Sequence, residues 1–542
     1  MNLKTLTLAV IAIIAVEGQA QNRYSPLAPP LLLDHKPSTS NAQQFRLGDL
    51  KITGNTHTKL YVILRMIPIS PGEIFNTSLW ELGLEQINRS GLFEHIEQKD
   101  IVLKPNASTG LIDVELHLTE RDHQRVDFSG GGGTTGGASL SLDYSNTNLT
   151  GRADRLSGRV RLGTRERSAG ASYSVISYGR IPIYYDLSGF FERLEFVNAS
   201  TVTQGKEPLF IERSAGGSIG AFIPLDRQKY SLASFTRLGL IYAISSSNLS
   251  DLLLATTTGV RSLEQGGLRT ASLTLLLLHN TLDRELDPQR GQRLVLGAEL
   301  GSRALGGSLN TLKPYLDYRR FWSLSKSADE SREPGTIGIR LRAAHIRSFG
   351  EPFTEQALST VRGVPVFSRF FSGGETEVRG YDVNSIAPLA RLQRFVLNQL
   401  NVEPFLSSEV RPVGGDTELI LNAEYRIPLV WQLSTAAFFD IGASLNARSL
   451  TKESFESMTT VQSTGSTVTV LTVLKPLKPE QDFLPRYRAS LGGELRFPIP
   501  VVHIPLRLIF AWNPNAQKVL PEGALLAPEK RFAFRVGFSR TL

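Results

Sequence analysis

Alternation with a period of two runs through the chain from Arg125 to Leu542 and limits what that part can become. In YRASLGGELRFP, Tyr487, Ala489, Leu491, Leu495 and Phe497 point one way, and Arg488, Ser490, Glu494 and Arg496 point the other. In FAFRVGFS, Phe532, Phe534, Val536 and Phe538 share a face opposite Arg535 and Ser539. Successive side chains of an extended strand leave opposite faces of a sheet, so this spacing reads as strand with one apolar and one polar face. Such segments recur between clusters of Gly, Asn, Asp and Pro, and no convincing helix interrupts them outside one long loop. A soluble sandwich would turn the apolar face inward; a membrane barrel would turn it outward to lipid. Arg and Glu fall repeatedly in mid-strand, as a watery lumen allows. The expected fold is an all-β transmembrane barrel over 125–542, with about sixteen antiparallel strands and no edge left facing lipid. Roughly eleven strand candidates precede a loop motif at 373–388 and about five follow it.

The N-terminal part carries the address. Lys4 precedes an uncharged apolar run, Leu6 to Val16, and Gly18 and Ala20 supply small residues for cleavage, so residues 1–20 read as a signal peptide. No later run approaches ~20 apolar residues. Residues 21–44 hold four prolines among polar residues and read as a linker. From 45 to 122 the order of signals is β-α-α-β-β, a small α+β domain. The first helix is expected in TKLYVILRM with Leu60, Ile63 and Leu64 on one face. The second is expected after an Asn76 cap, with Leu79, Leu82 and Ile87 together and Gly91 as the stop.

Several chemistries are excluded. The chain has no cysteine, so disulfides, thiolate metal sites and cysteine nucleophiles are ruled out. The net charge of +8 suits contact with anionic lipid headgroups, and no nucleic-acid partner is expected. GGSIG at Gly216–Gly220 matches a nucleophile pattern around Ser218, but strand-like sequence lies on both sides where an elbow needs a following helix. SGGGGTTGG at 129–137 lacks the Lys-Ser/Thr and helix of a phosphate loop and reads as one barrel strand turning into the next. The eight histidines have no paired ligand spacing. No enzyme activity, metal or cofactor is expected.

Two carboxylates stand out by facing. In LILNAEYRIPL, Leu419, Leu421, Ala423, Tyr425 and Ile427 form the apolar set and leave Glu424 inward. In WQLSTAAFFDIGASL, Trp431, Leu433, Ala437, Phe439 and Ile441 do the same for Asp440. The loop GGETEVRGYDVNSIAP offers Arg379, whose planar fork suits bidentate pairing with such acids. Solvated lumen carboxylates with no special partner are the other reading.

These segments resemble a known family. VRGY at Val378, Arg379, Gly380 and Tyr381, AEYRIPL at Ala423–Leu429, FFDIG at Phe438–Gly442, LDRELDPQRGQRL at Leu282–Leu294 and SNTNLTGRADRLS at Ser145–Ser157 are similar to the barrels of POTRA-plus-barrel outer-membrane proteins. That superfamily, the bacterial surface antigen barrels, takes in BamA-like and TamA-like assembly factors and two-partner secretion transporters. GNTHTKLYVILRMIPISPGEIFN and INRSGLFE resemble a single POTRA domain, over 45–122. The resemblance implies a sixteen-stranded barrel with a long loop, 349–415, folded back inside, and Arg379 latched to Asp440 and Glu424. It also implies a labile seam between the first and last strands, here near Gly131 and Gly132 on one side and Phe534 and Val536 on the other. The implied function is insertion or translocation of client outer-membrane or secreted polypeptides, among outer-membrane lipid and with the POTRA domain in the periplasm. A passive channel or anchor is the alternative. Two departures are a single visible POTRA domain and Arg540, where the family's terminal signal usually has a hydrophobic or aromatic residue.

Overall fold

The computed structural model describes residues 45–538 apart from interruptions in the connections between strands, the longest being 198–209, 226–234, 251–266, 325–334, 351–363, 477–486 and 519–527. The expected signal peptide and linker, Trp431 and Arg540 lie outside the described residues.

The N-terminal domain is a three-stranded sheet with two helices. Strand β1 (Arg46–Thr53), helix α1 (Leu60–Leu64), helix α2 (Thr77–Ser90), β2 (Ile101–Asn106) and β3 (Leu111–His117) follow in order. The sheet runs β1-β3-β2, with β1 parallel and β2 antiparallel to β3. Asn76 caps α2 by accepting from the Ser78 and Leu79 amides, and Gly91 ends it in the left-handed conformation. The helix faces differ from the sequence expectation. In α1, Val62 and Ile63 are buried, with Met66 just beyond, while Leu60 and Leu64 are exposed. In α2, Trp80 and Ile87 enter the core with Leu84 packed beside them, and Leu79 is exposed. The reason is that α1 is a single short turn read against β-sheet neighbours, so its phase is set by packing against Leu47, Val114 and Leu116.

The rest is a closed barrel. Its strands are β4 (Gln124–Gly133), β5 (Gly137–Asn146), β6 (Arg155–Gly163), β7 (Glu166–Tyr178), β8 (Pro182–Phe196), β9 (Phe210–Pro224), β10 (Thr236–Ser250), β11 (Leu268–Asn280), β12 (Gly291–Gly301), β13 (Thr311–Ser323) and β14 (Thr336–His345), prolonged by the short β15 (Arg347–Ser348). After the long loop come β18 (Thr417–Pro428), β19 (Ser434–Leu445), β22 (Arg488–Pro498), β23 (Pro505–Trp512) and β24 (Phe532–Phe538). Taking β14 and β15 as one, this is a sixteen-stranded ring in which β24 returns to β4. The intervening hairpins, β16 (Leu389–Asn398) with β17 (Asn401–Pro412) and β20 (Phe455–Ser463) with β21 (Ser466–Pro476), make a separate sheet in the order β17-β16-β21-β20.

The barrel is inverted relative to a soluble core. Leu419, Leu421, Tyr425, Phe439, Leu491, Phe510, Phe534 and Val536 are exposed on its outside, whereas Glu424, Arg426, Asp440, Glu494, Arg496 and Arg507 are buried within. Apolar side chains facing outward all round are stable only against lipid. Ser218 sits in mid-β9, paired with Ala243 and Ser188 across its neighbours, and its hydroxyl lies 2.7 Å from that of Ser188. A strand centre is no nucleophile elbow.

Candidate functional site

Residues 364–388 of the long loop descend into the lumen. Reciprocal backbone hydrogen bonds of 2.9 Å between Ser372 and Ile386 close this stretch into a hairpin, and its tip carries Val378–Tyr381. Apolar side chains seat its shoulders. Phe367 and Phe371 pack with Phe196, Phe210, Leu249 and Leu268 at the loop end of the barrel, and Val364 and Phe370 join Phe222, Leu276 and Val295.

At the tip, Arg379 meets three carboxylates from three strands. Its Nε donates to Asp440 Oδ2 and its Nη2 to Asp440 Oδ1, both at 2.7 Å, and its backbone amide donates to Oδ2 at 3.0 Å. Its Nη1 donates to Glu424 Oε2 at 3.1 Å and to Glu494 Oε2 at 3.3 Å. The guanidinium also lies 3.9 Å from the centre of the Phe438 ring. The arginine side chain is 2% exposed and those of all three acids 0%.

Burying that many charges demands balance. Arg426 pairs with Glu424 and, at 2.9 Å, with Asp287; Arg496 pairs with Glu494 and Glu424; Arg507 pairs with Glu494. Four arginines thus face four carboxylates, of which Glu424, Asp440 and Glu494 are buried and Asp287 is 59% exposed, so the charge balance is completed at the cluster's water-facing edge. It also has two ends. Arg379 comes from the loop above, and Asp287 from the turn between β11 and β12, where Arg426 further donates to the Pro288 carbonyl at 3.0 Å.

The neighbours of Arg379 are equally constrained. Gly380 has φ of 93°, and a Cβ there would stand 2.6 Å from Ala511 Cβ and from Asn513 Oδ1, so glycine is required twice over. Val378 is fully buried. The Tyr381 hydroxyl lies 3.1 Å from the Ala489 carbonyl and 3.0 Å from Asn515 Oδ1, donating to either. Asp382 pairs with Arg535 of the last strand, and a Cβ at Gly537 would collide with Glu375. The loop tip therefore braces β18, β19, β22, β23 and β24.

Sequence reasoning brought Arg379, Glu424 and Asp440 together but left out Glu494, Asn422 and Phe438 as neighbours of the cluster. Glu494 could have been found, because it has the same inward phase one barrel strand further on. Asn422, which donates to Asp440 Oδ1 at 2.8 Å, carries no charge to flag it. At the seam, Gly131 and Gly132 pair with Ser139 and Ala138, and Phe534 and Val536 with Phe510 and Leu508. Among the described residues, strands β24 and β4 meet over a shorter stretch than any other successive full strands of the ring.

A second polar cluster joins the two domains. The Glu120 carboxylate accepts from Thr56 Oγ1 at 2.7 Å and from the His57 and Thr58 amides at 2.9 and 2.6 Å. Partial burial acts to raise its pKa, but donors on Thr58, Thr56 and His57 outweigh that and hold it at about 2. From the β5–β6 turn, Asn148 donates to Thr58 Oγ1 at 2.9 Å, and the Gly151 carbonyl accepts from the Lys59 amide at 2.8 Å. Among the described residues no group of His, Asp and Glu is arranged to hold a metal ion.

Comparison with known proteins agrees with this architecture. Residues 148–539 match the Omp85 superfamily domain, and residues 45–121 match the POTRA model described as surface antigen variable number repeat. Among curated proteins, outer membrane protein assembly factor BamA of Neorickettsia risticii is 24% identical over 423 residues, covering 77% of this chain and 49% of that protein. BamA of Neisseria meningitidis serogroup B is 25% identical over 398 residues, covering 69% and 46%. The chain spans about half the length of the curated relatives it matches. Among solved structures, BamA from Haemophilus ducreyi lacking POTRA domains 1–3 aligns with a TM-score of 0.61 at 17% identity, covering 91% of this chain and 84% of that one. CdiB from Acinetobacter baumannii aligns at 0.50 and 14% identity, covering 92% and 74%. The likeness to both structures is one of fold. The barrel resides in the outer membrane with its POTRA domain on the periplasmic side. With a family model spanning most of its length and a lipid-facing ring of sixteen strands, the chain belongs to the Omp85 superfamily.

Proposed function

We propose that this protein assists the insertion or translocation of client polypeptides at the outer membrane, using the β4–β24 seam as a labile edge and Arg379 as the latch that holds the lumen loop. The observation that carries the reading is the short closure between β24 and β4. Glycines 130–133 give β4 no side chains for cross-strand pairs there. An edge that opens offers unpaired N–H and C=O groups to an incoming strand. The latch supports the same reading from the other side. By bracing β18, β19, β22, β23 and β24 through Arg379, Gly380, Tyr381 and Asp382, it keeps the last strand in register while β4 is left to part from it. A passive channel would need an open lumen, whereas the loop tip fills this one with buried Val378, Arg379 and Tyr381.

The test uses the natural lack of cysteine. Cysteine pairs scanned along Ser129–Gly133 and Phe532–Phe538 crosslink where Cα atoms come within ~7 Å. In phospholipid vesicles, the unlocked protein is expected to speed the folding of a urea-denatured eight-stranded barrel, and the crosslinked seam to abolish that gain. Equal acceleration by locked and unlocked protein would remove the seam from the mechanism. Ion conductance without any acceleration would favour the channel.

A further inference from the structure

A cleft of about 470 Å³ opens where the POTRA domain meets the barrel wall, lined by Tyr61, Arg65, Arg152, Val175, Ile176 and Ser177. We infer that it seats the phosphate of an anionic phospholipid from the periplasmic leaflet, with Arg65 and Arg152 on either side of the headgroup.

Its position comes first. The β5–β6 turn that bears Arg152 touches the POTRA domain through Asn148 and Gly151, so it lies at the periplasmic end of the barrel. Val175–Ser177 close β7 at that same end. The outward-facing Val160 and Leu162 on β6, and Leu187 and Phe191 on β8 beside β7, lie farther from this end, and Leu149 continues the exposed apolar surface into the turn itself. A cleft at the foot of a lipid-facing wall stands at the depth of the headgroups.

The lining has the composition of that layer. No acidic side chain is among its residues, and two guanidiniums come from two domains. Tyr61 lies on α1 and Arg65, four residues on, is its C-cap with helical backbone angles, so the two share one face of that turn. Leu60, Tyr61 and Leu64 are exposed there, the reverse of what sequence periodicity suggests, and Leu60 and Leu64 are the residues that would be expected inside a soluble domain. An exposed Leu-Tyr-Leu turn beside an arginine is disfavoured in water and suited to an interface, where apolar bodies enter the acyl boundary and basic tips reach phosphate. Tyrosine is itself enriched at that level. Guanidinium binds a phosphodiester by paired hydrogen bonds as well as by charge.

The two walls are held in place. The Asp154 carboxylate gathers the Thr150 amide at 2.9 Å, the Thr150 hydroxyl at 3.0 Å and the Tyr173 hydroxyl at 3.0 Å, which fixes the turn around Arg152. The Lys59 amide, at the start of α1, donates to the Gly151 carbonyl. Arg65 and Arg152 thus face one cleft through a hydrogen-bonded junction and not through a flexible tether. A lipid bound there would tie the POTRA domain to the membrane surface, whatever the barrel does with clients.

Full-length protein in detergent, titrated with phosphatidylglycerol or phosphatidylcholine and examined by native mass spectrometry, tests this. Wild type is expected to retain phosphatidylglycerol about tenfold better than phosphatidylcholine. Arg65→Gln with Arg152→Gln should lose that preference, Arg65→Lys with Arg152→Lys should keep part of it, and the lumen control Arg159→Gln should keep all of it. Heat-dependent gel mobility confirms that each barrel is folded. Unchanged preference in the double glutamine variant, or equal retention of both lipids by wild type, would overturn the site. So would displacement of the lipid by millimolar inorganic phosphate, since an ion alone would then suffice.

Discussion

In the wall made by β4–β7, Arg159 pairs with Asp143, and Arg161 reaches Glu166 at 2.9 Å, with the arginine side chains 32% and 29% exposed. In the wall made by β18, β19, β22, β23 and β24, Arg379, Arg426, Arg496 and Arg507 pair with carboxylates at 0–8% exposure. The residue types are the same and so is the inward phase. What differs is the loop, which covers one set and seals it from water. A pair open to water contributes about 0–1 kcal/mol, whereas breaking a buried one costs about 3–5 kcal/mol because the survivor is left charged and unsolvated. The barrel is therefore expected to be stiff on its C-terminal side and soft on its N-terminal side, and the seam lies where the two meet.

The largest effect should come from the sealed side. Arg379→Ala or Asp440→Asn is expected to destabilise the loop by about 3–5 kcal/mol, more than the 1–3 kcal/mol that a hydrogen-bonded charge pair in a watery lumen would give. The measurement is protease cleavage within 364–388 together with unfolding in mixed micelles. Because both changes break one contact, the double variant should be little worse than either single one. Full additivity, with wild-type protection in each single variant, would break the contrast between the walls.

Gly380→Ala should come next. A side chain at φ of 93° costs about 1–3 kcal/mol before the contact with Ala511 is counted. Alanine at 380 with Ala511→Gly should recover only the share of the steric cost that Ala511 imposes, leaving the Asn513 contact and the backbone part in the same unfolding assay.

The soft side is anchored at its foot by Thr58 and Lys59, whose turn Glu120 holds in place, and pH separates this anchor from the sealed cluster. The folded Glu120 pKa of about 2 lies below the ordinary 4.5, so its contribution is complete above pH 4.5 and drains away as pH falls toward 2. Glu120→Gln is expected to lower the hydrogen-exchange protection of the His57 and Thr58 amides roughly threefold near neutrality, modest because the site is partly exposed. After correction for intrinsic exchange, the gap from wild type should close between pH 4.5 and about 2. A constant gap across that range would show that the carboxylate's charge is not what holds the junction.

The smallest effect belongs to the open pairs. Arg159→Gln should change stability by about 0–1 kcal/mol, and the change should shrink as salt is raised. A salt-insensitive loss as large as that of Arg379→Ala would mean the N-terminal wall is sealed as well.

Sequence alone went far where the period of two was regular. In LILNAEYRIPL and YRASLGGELRFP each residue's side of the sheet follows from its parity, since a strand buried on neither face by protein has only lipid and lumen to choose between. This made the barrel, its strand number and the inward phase of Glu424, Asp440 and Glu494 legible. The caps of α2 were legible for a similar reason: Asn76 and Gly91 act on their own neighbours and need no tertiary partner. The phase of α1 was not, because one helical turn has too few residues for periodicity to choose among Leu60, Val62 and Ile63, and the sheet beneath it made the choice. Nor could parity say which inward acids meet. That depended on how deep a loop some 40 residues upstream of Glu424 descends, on Gly380 letting it pass Ala511, and on Asp287 arriving from a turn more than 130 residues before Arg426. Facing is a local property of a strand and was written in the sequence; the charge balance of the cluster is a sum over distant segments, and only the folded barrel adds them.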